Sequence, residues 1–192
     1  MARIVISTNM TLDGVVQDPD GKEGSGPGGW FHESGGSDLE AWAEFETDEA
    51  LAASALLLGR RSDEWFAARW AARSGAWADR LNRLPKYVVS SSLDEAQWTN
   101  ATLLRGDAVE QISRLRSTVD GEILVYASFH LVRTLMQHAL ADELRLVVFP
   151  IIVGAGERLF DDIVIARRVR LNQSRRLGDG LIFCSYEILR DA

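Results

Sequence analysis

From residue 55 to residue 149, short apolar runs alternate with amphipathic stretches, and no other feature of the chain restricts its fold so strongly. Strand-like runs fall at 55–58, 86–89, 102–104, 122–126 and 144–149, and helical periodicity fills 60–70, 107–117 and 128–138. Such alternation predicts an α/β fold with a mostly parallel mixed sheet and helices on both faces. The pattern then changes. Strands at 144–149, 169–175 and 181–189, with little helix between them, predict antiparallel strands at the C-terminal edge. The opening run, Arg3-Ile4-Val5-Ile6, reads as a first strand. Ser37-Asp38-Leu39-Glu40 reads as a capping box for a helix to about residue 54, and Asp107 with Glu110 as a second one. Ser128 is expected to cap the helix that follows it. A length of 192 residues with 46% hydrophobic content fits one domain, 1–192.

Open α/β sheets bind ligands beyond the carboxyl ends of their strands. Gly59-Arg60-Arg61-Ser62, Ser90-Ser91-Ser92, Gly106 and Ala127-Ser128 all fall at such ends. The first group suits a phosphate: Gly59 allows close backbone approach, the following helix aims free N–H groups at an anion, and guanidinium forks grip oxygens. On their own, Arg60 and Arg61 read equally well as solvated residues of a helix start. No G-x-G-x-x-G follows the first strand and no P-loop is present, so neither standard nucleotide fingerprint applies. Three scattered histidines and one cysteine give no zinc spacing, and no G-x-S-x-G elbow marks a serine hydrolase.

The net charge of −7 argues against a nucleic-acid partner. No apolar run approaches the roughly 20 residues of a membrane helix, so no membrane partner is expected. Cys184, the single cysteine, admits no internal disulfide, and a cytoplasmic location is the default expectation. The glycine- and proline-rich stretch 18–36 is long for a loop, and its Trp30 and Phe31 make it either a lid lining a substrate site or a cover for the protein's own core. The carboxylates Glu40, Glu44, Glu46, Asp48 and Glu49 read mostly as a solvated helix face.

Taken in order, Ser7 with Thr11-Leu12-Asp13-Gly14, Leu57-Leu58-Gly59-Arg60-Arg61-Ser62, Lys86-Tyr87-Val88-Val89-Ser90-Ser91, Ile123-Leu124-Val125-Tyr126-Ala127-Ser128 and the 142–160 segment resemble the dihydrofolate-reductase-like superfamily. The closer likeness is to its riboflavin-biosynthesis branch, the RibD C-terminal family. The resemblance implies an NADPH-dependent reductase acting on a small pterin- or pyrimidine-like heterocycle, commonly as a homodimer. It places a cofactor-binding turn on Gly59, Arg60, Arg61 and Ser62, with Arg60 and Arg61 at the 2′-phosphate and Ser62 and the helix N-terminus at the pyrophosphate, Ser90 and Ser91 beside the adenosine phosphate, and Ala127 and Ser128 at a second phosphate turn. Relatives usually carry glycine at Ala127, and folate-reducing members carry one at Tyr126 as well. That departure keeps open a non-catalytic nucleotide- or ligand-binding protein on the same fold. Asp13 is the candidate catalytic acid. In an apolar pocket its pKa would rise enough to hold a proton near neutrality, although Asp-Gly is also an ordinary turn pair.

Overall fold

The computed structural model describes residues 1–24, 26–161 and 166–190. Strands β1 (Arg3–Thr11), β2 (Ala55–Gly59), β3 (Lys86–Val89), β4 (Ala101–Leu104), β5 (Glu122–Tyr126), β6 (Glu143–Phe149), β7 (Val169–Leu177) and β8 (Leu181–Ile188) form an eight-stranded mixed sheet in the order β4-β3-β2-β5-β1-β6-β8-β7. Helices α1 (Trp30–Gly35), α2 (Leu39–Ala52), α3 (Arg60–Trp70), α4 (Ala76–Arg83), α5 (Ala108–Thr118) and α6 (Phe129–Gln137) connect them. The chain divides into two compact units, one of residues 1–6 and 46–142, the other of residues 7–45 and 143–192.

The first unit is the βα-alternating part. Ladders β2–β3, β2–β5 and β3–β4 are parallel. Ala55, Leu56, Leu57 and Leu58 are all buried, as a strand covered on both faces requires. Its core joins Leu56, Leu58, Val88 and Leu124 to Trp70, Leu81, Trp98 and Tyr126. Asp107 caps α5 as expected, its side chain accepting from the Glu110 N–H at 2.9 Å. Helix α4 was not anticipated. Only Ala78 and Leu81 of its eight residues are buried, too short an apolar stripe to reveal a period.

The second unit holds the antiparallel ladders β6–β8 and β7–β8. Strand β7 lies at the end of the sheet order, and every residue from Val169 to Arg176 is exposed. Its arginines and a register shift between Leu171 and Gln173 are devices that keep an edge strand from pairing with other chains. Trp30, Phe45, Val147, Phe149, Leu177, Leu181 and Phe183 form this unit's core. The capping box at Ser37 does not form. A 3₁₀ turn (Gly36–Asp38) precedes α2, and the Asp38 carboxylate instead accepts from the backbone N–H groups of Asp179 and Gly180 in the β7–β8 turn, at 2.9 and 2.6 Å. No helix among the described residues is long and apolar enough to cross a membrane.

Candidate functional site

In the first unit, neighbouring strands β2 and β5 end in two turns that bond to each other. Gly59, the last residue of β2, donates its N–H to Ser128 Oγ at 3.0 Å, and the Ser128 N–H donates to Ser62 Oγ, also at 3.0 Å. Both serines are buried. Ser128 therefore does not cap α6 with its side chain; its hydroxyl is spent on the β2 turn. Ser62 faces the Ala127–Ser128 turn, where the resemblance had it facing a pyrophosphate. Ala127 and Ser128 both lie in the left-handed region, at φ of 50° and 59°. Each costs an L-residue about 1–2 kcal/mol there, and the two reciprocal hydrogen bonds hold Ser128 against that strain.

Around this braced pair stand the cationic and hydroxyl groups. Arg60 is exposed and makes an i,i+4 ion pair with Glu64 at 3.3 Å, which is weak at a solvated surface. Arg61 is exposed with no carboxylate partner among the described residues. At the end of β3, Ser90 is buried and its Oγ accepts from the N–H groups of Ser92 and Leu93 at 3.2 and 3.1 Å, fixing the turn on which exposed Ser91 sits. Helices α3 and α6 start here, and the unpaired N–H groups of a helix's first turn carry partial positive charge. The sum is a rim of donors suited to an anion, in which the buried Asp63 carboxylate of the first turn of α3 is committed to the Gln97 and Trp98 N–H groups at 2.6 and 3.1 Å and Glu64 to Arg60.

In the second unit, Asp13 departs from its expected state. Thr11 Oγ1 donates to Asp13 Oδ1 at 2.6 Å, and the backbone N–H groups of Val153 and Gly154 donate to its two oxygens at 3.2 and 2.9 Å. Gly14, at φ +82°, completes the turn with an N–H bond to Thr11 O. The Thr11 hydroxyl and these N–H groups all stabilise the carboxylate form and lower its pKa from 3.8 to about 2. Asp13 is thus ionised at neutral pH and holds no proton. Its visible work is to tie the end of β1 to the segment after β6, with Arg158 adding a bond from Nε to the Asp13 carbonyl at 3.0 Å.

Trp30 is also corrected. It is 1% exposed, packs edge-on against Phe149 and donates its indole N–H to the Gln17 carbonyl at 3.0 Å. It belongs to the unit's own core and does not line an open site. Phe31 is half-buried against Trp42 and Phe149. The acidic face of α2 is not uniformly solvated either, because Glu46 and Glu49 are buried while Glu44 and Asp48 are exposed. The pattern of α2 gave no signal of this, since its buried positions mix Glu46 and Glu49 with Phe45 and Ala50.

The fold is dihydrofolate-reductase-like. The chain belongs to the RibD C-terminal domain family, whose profile matches residues 2–183. Among solved structures it is similar to a putative riboflavin biosynthesis protein from Shewanella sp. PV-4, at 21% identity and a TM-score of 0.76, over 99% of this chain and all of that one. It shares its fold with a dihydrofolate reductase from Enterococcus faecalis solved with NADP(H), at 14% identity and a TM-score of 0.57, over 97% and 96% of the two chains. Among curated relatives, the uncharacterized protein YyaP of Bacillus subtilis (strain 168) is 26% identical over 101 residues, 53% of each chain. The match spans about half the length of the curated relatives.

Proposed function

We propose that the chain is an NADPH-dependent reductase that transfers a hydride to a small heterocyclic substrate of pterin or pyrimidine type. The observation that carries this reading is the braced rim of the first unit, where two guanidinium groups and two helix N-termini gather at the ends of adjacent strands. The donor set fits the adenosine half of a phosphorylated dinucleotide. Arg60 and Arg61 would hold the 2′-phosphate, which NADH lacks, since planar forks bind phosphate bidentately. Ser90 and Ser91 would lie beside the adenosine phosphate. The Ala127 turn and the first turns of α3 and α6 would hold the pyrophosphate, with Gly59 and Ser128, bonded to each other, shaping the floor it approaches. Ser62 supports that site from behind by fixing Ser128. When bound, the cofactor supplies the hydride, and the protein's part is to align the acceptor carbon and provide a proton.

Thermal shift with NADPH tests the reading. A ligand that binds only the folded chain stabilises it by mass action, about 2.7 kcal/mol at one hundred times Kd. The expected result is a concentration-dependent rise in Tm, together with NADPH oxidation in the presence of dihydrofolate or the ribosylamino-pyrimidine. A rise in Tm without oxidation of either kind of substrate favours the non-catalytic binding protein. No shift at all refutes the reductase and a protein that binds this nucleotide alike.

A further inference from the structure

Strand β1 has a neighbour on each edge and is closed to solvent from Ile4 to Thr8, but it opens at Asn9 and Met10, which are half-buried. The opening falls toward the carboxyl end of the strand, where sheets of this kind take their ligands. Exposed apolar surface gathers just past it. Leu12 is 63% and Ile152 71% exposed, and the Leu12 N–H bonds to the Ile151 carbonyl at 2.9 Å, which joins their two segments. Within this second unit one polar group is set among aromatic rings. Trp42 of α2 donates its indole N–H to Asn9 Oδ1 at 2.8 Å. An indole nitrogen only donates, so the oxygen of the carboxamide must face it. The amide is thereby oriented: its NH₂ group, with two hydrogens to give, is turned away from Trp42 and has no partner among the described residues. Trp42 and Phe31 are both half-buried, with ring centroids 4.7 Å apart and planes at 79°, and Phe31 rests on Phe149 at 5.1 Å. Flat rings anchored on a core, beside a polar group of fixed direction, are what a site for a flat heterocycle requires. The donor decides the class of ring. A group with only hydrogens to give accepts a ring carbonyl and rejects an amino group in its place, which brings hydrogens of its own.

We propose that Asn9, oriented by Trp42, is a specificity-determining residue that selects an oxo-substituted flat heterocycle. A ring carbonyl accepts from Asn9 Nδ2 while the ring lies against Trp42 and Phe31. This rests on the reductase reading above and narrows its substrate class to rings that carry a carbonyl. Asn9 binds and sorts the substrate and moves no proton. Trp42 acts partly through Asn9, by holding the amide in the one orientation that presents its hydrogens.

Calorimetric titration of the full chain with two pteridines tests the assignment without turnover. Lumazine carries carbonyls on its pyrimidine ring, and 2,4-diaminopteridine carries amino groups at the same positions. The wild type is expected to bind lumazine about tenfold more tightly, the scale of one neutral hydrogen bond made against one lost. Asn9→Asp keeps an oxygen for Trp42 and exchanges the donor for an acceptor, so the preference should reverse. Asn9→Ala should erase it. Trp42→Phe retains an aromatic wall but frees the amide to turn, so the preference should shrink toward equality. In turnover of dihydrofolate, Asn9→Ala should raise KM about tenfold and leave kcat nearly unchanged, as loss of a bond made equally in ground and transition states requires. A wild type that binds NADPH but takes both pteridines equally, or neither, overturns the Asn9 assignment and leaves the reductase reading standing, as does a lumazine preference that Asn9→Asp keeps. A wild type that prefers lumazine through Asn9 yet binds no NADPH overturns the reductase reading and leaves the heterocycle site. Binding of none of the three compounds overturns both.

Discussion

Ala127 shows how a single methyl group bears on the rim. Its left-handed backbone costs about 1–2 kcal/mol relative to glycine, while glycine would add about 0.4–1 kcal/mol of unfolded-chain freedom. Ala127→Gly is therefore expected to raise stability by about 0.5–1 kcal/mol, the difference of those two effects, as read by thermal or urea denaturation. Ser62→Ala goes the other way. It strips the buried Ser128 N–H of its acceptor, and the expected loss is about 1–3 kcal/mol. Asp13 sets an acid limit. Its pKa is depressed to about 2, so its contribution to stability is full above 3.8 and disappears as pH falls toward 2. Asp13→Asn should flatten that part of the stability curve. Lys86 shapes the alkaline side. It is fully buried, donating to the Asn82 and Leu84 carbonyls at 3.1 and 2.8 Å, and burial lowers its pKa to about 8. Between about pH 8 and 10.5 the unfolded chain binds more protons, so stability attributable to Lys86 should rise with pH there and the rise should be absent in Lys86→Met.

At the scale of elements, caps and turns decide where helices start. Asp107→Ala should cost about 1 kcal/mol, measured by denaturation, because one helix N–H loses its acceptor. The same element was readable from its residues, since the cap and its partner are three positions apart. Strands β3 and β5 and helix α3 were legible to the residue, because continuous apolar runs and a glycine punctuate them. What was not legible depends on distant partners. Asp38 lies 141 residues before Asp179, whose N–H draws its carboxylate away from the helix it precedes in sequence. The Asp13 pKa is lowered first by the Thr11 hydroxyl two residues before it and then by the Gly154 and Val153 N–H groups, contacts no local pattern encodes, so that its shift runs opposite to the expected one. Trp30 looked available for a substrate because its flanking glycines suggest an open loop, yet Phe149 from β6 buries it. Glu46 and Glu49 looked solvated because their neighbours on α2 are charged.

At the scale of the whole molecule, each of the two compact units has its own core among the described residues, and the groups proposed to bind an anion lie in the first. The parallel ladders of the first unit deliver Gly59, Ser90 and Ala127 to strand ends, as the alternation of strands and helices in the sequence requires. The central claim is that this rim selects a phosphorylated dinucleotide. Titration of the wild type and the Arg60→Gln/Arg61→Gln double variant with NADPH and NADH, followed by calorimetry, tests it most directly. Hydrogen bonds to charged groups contribute about 1.5–3 kcal/mol each, so wild-type preference for NADPH should narrow by about tenfold or more in the variant. Equal affinity of the wild type for the two dinucleotides, or a preference the variant keeps intact, would contradict the account.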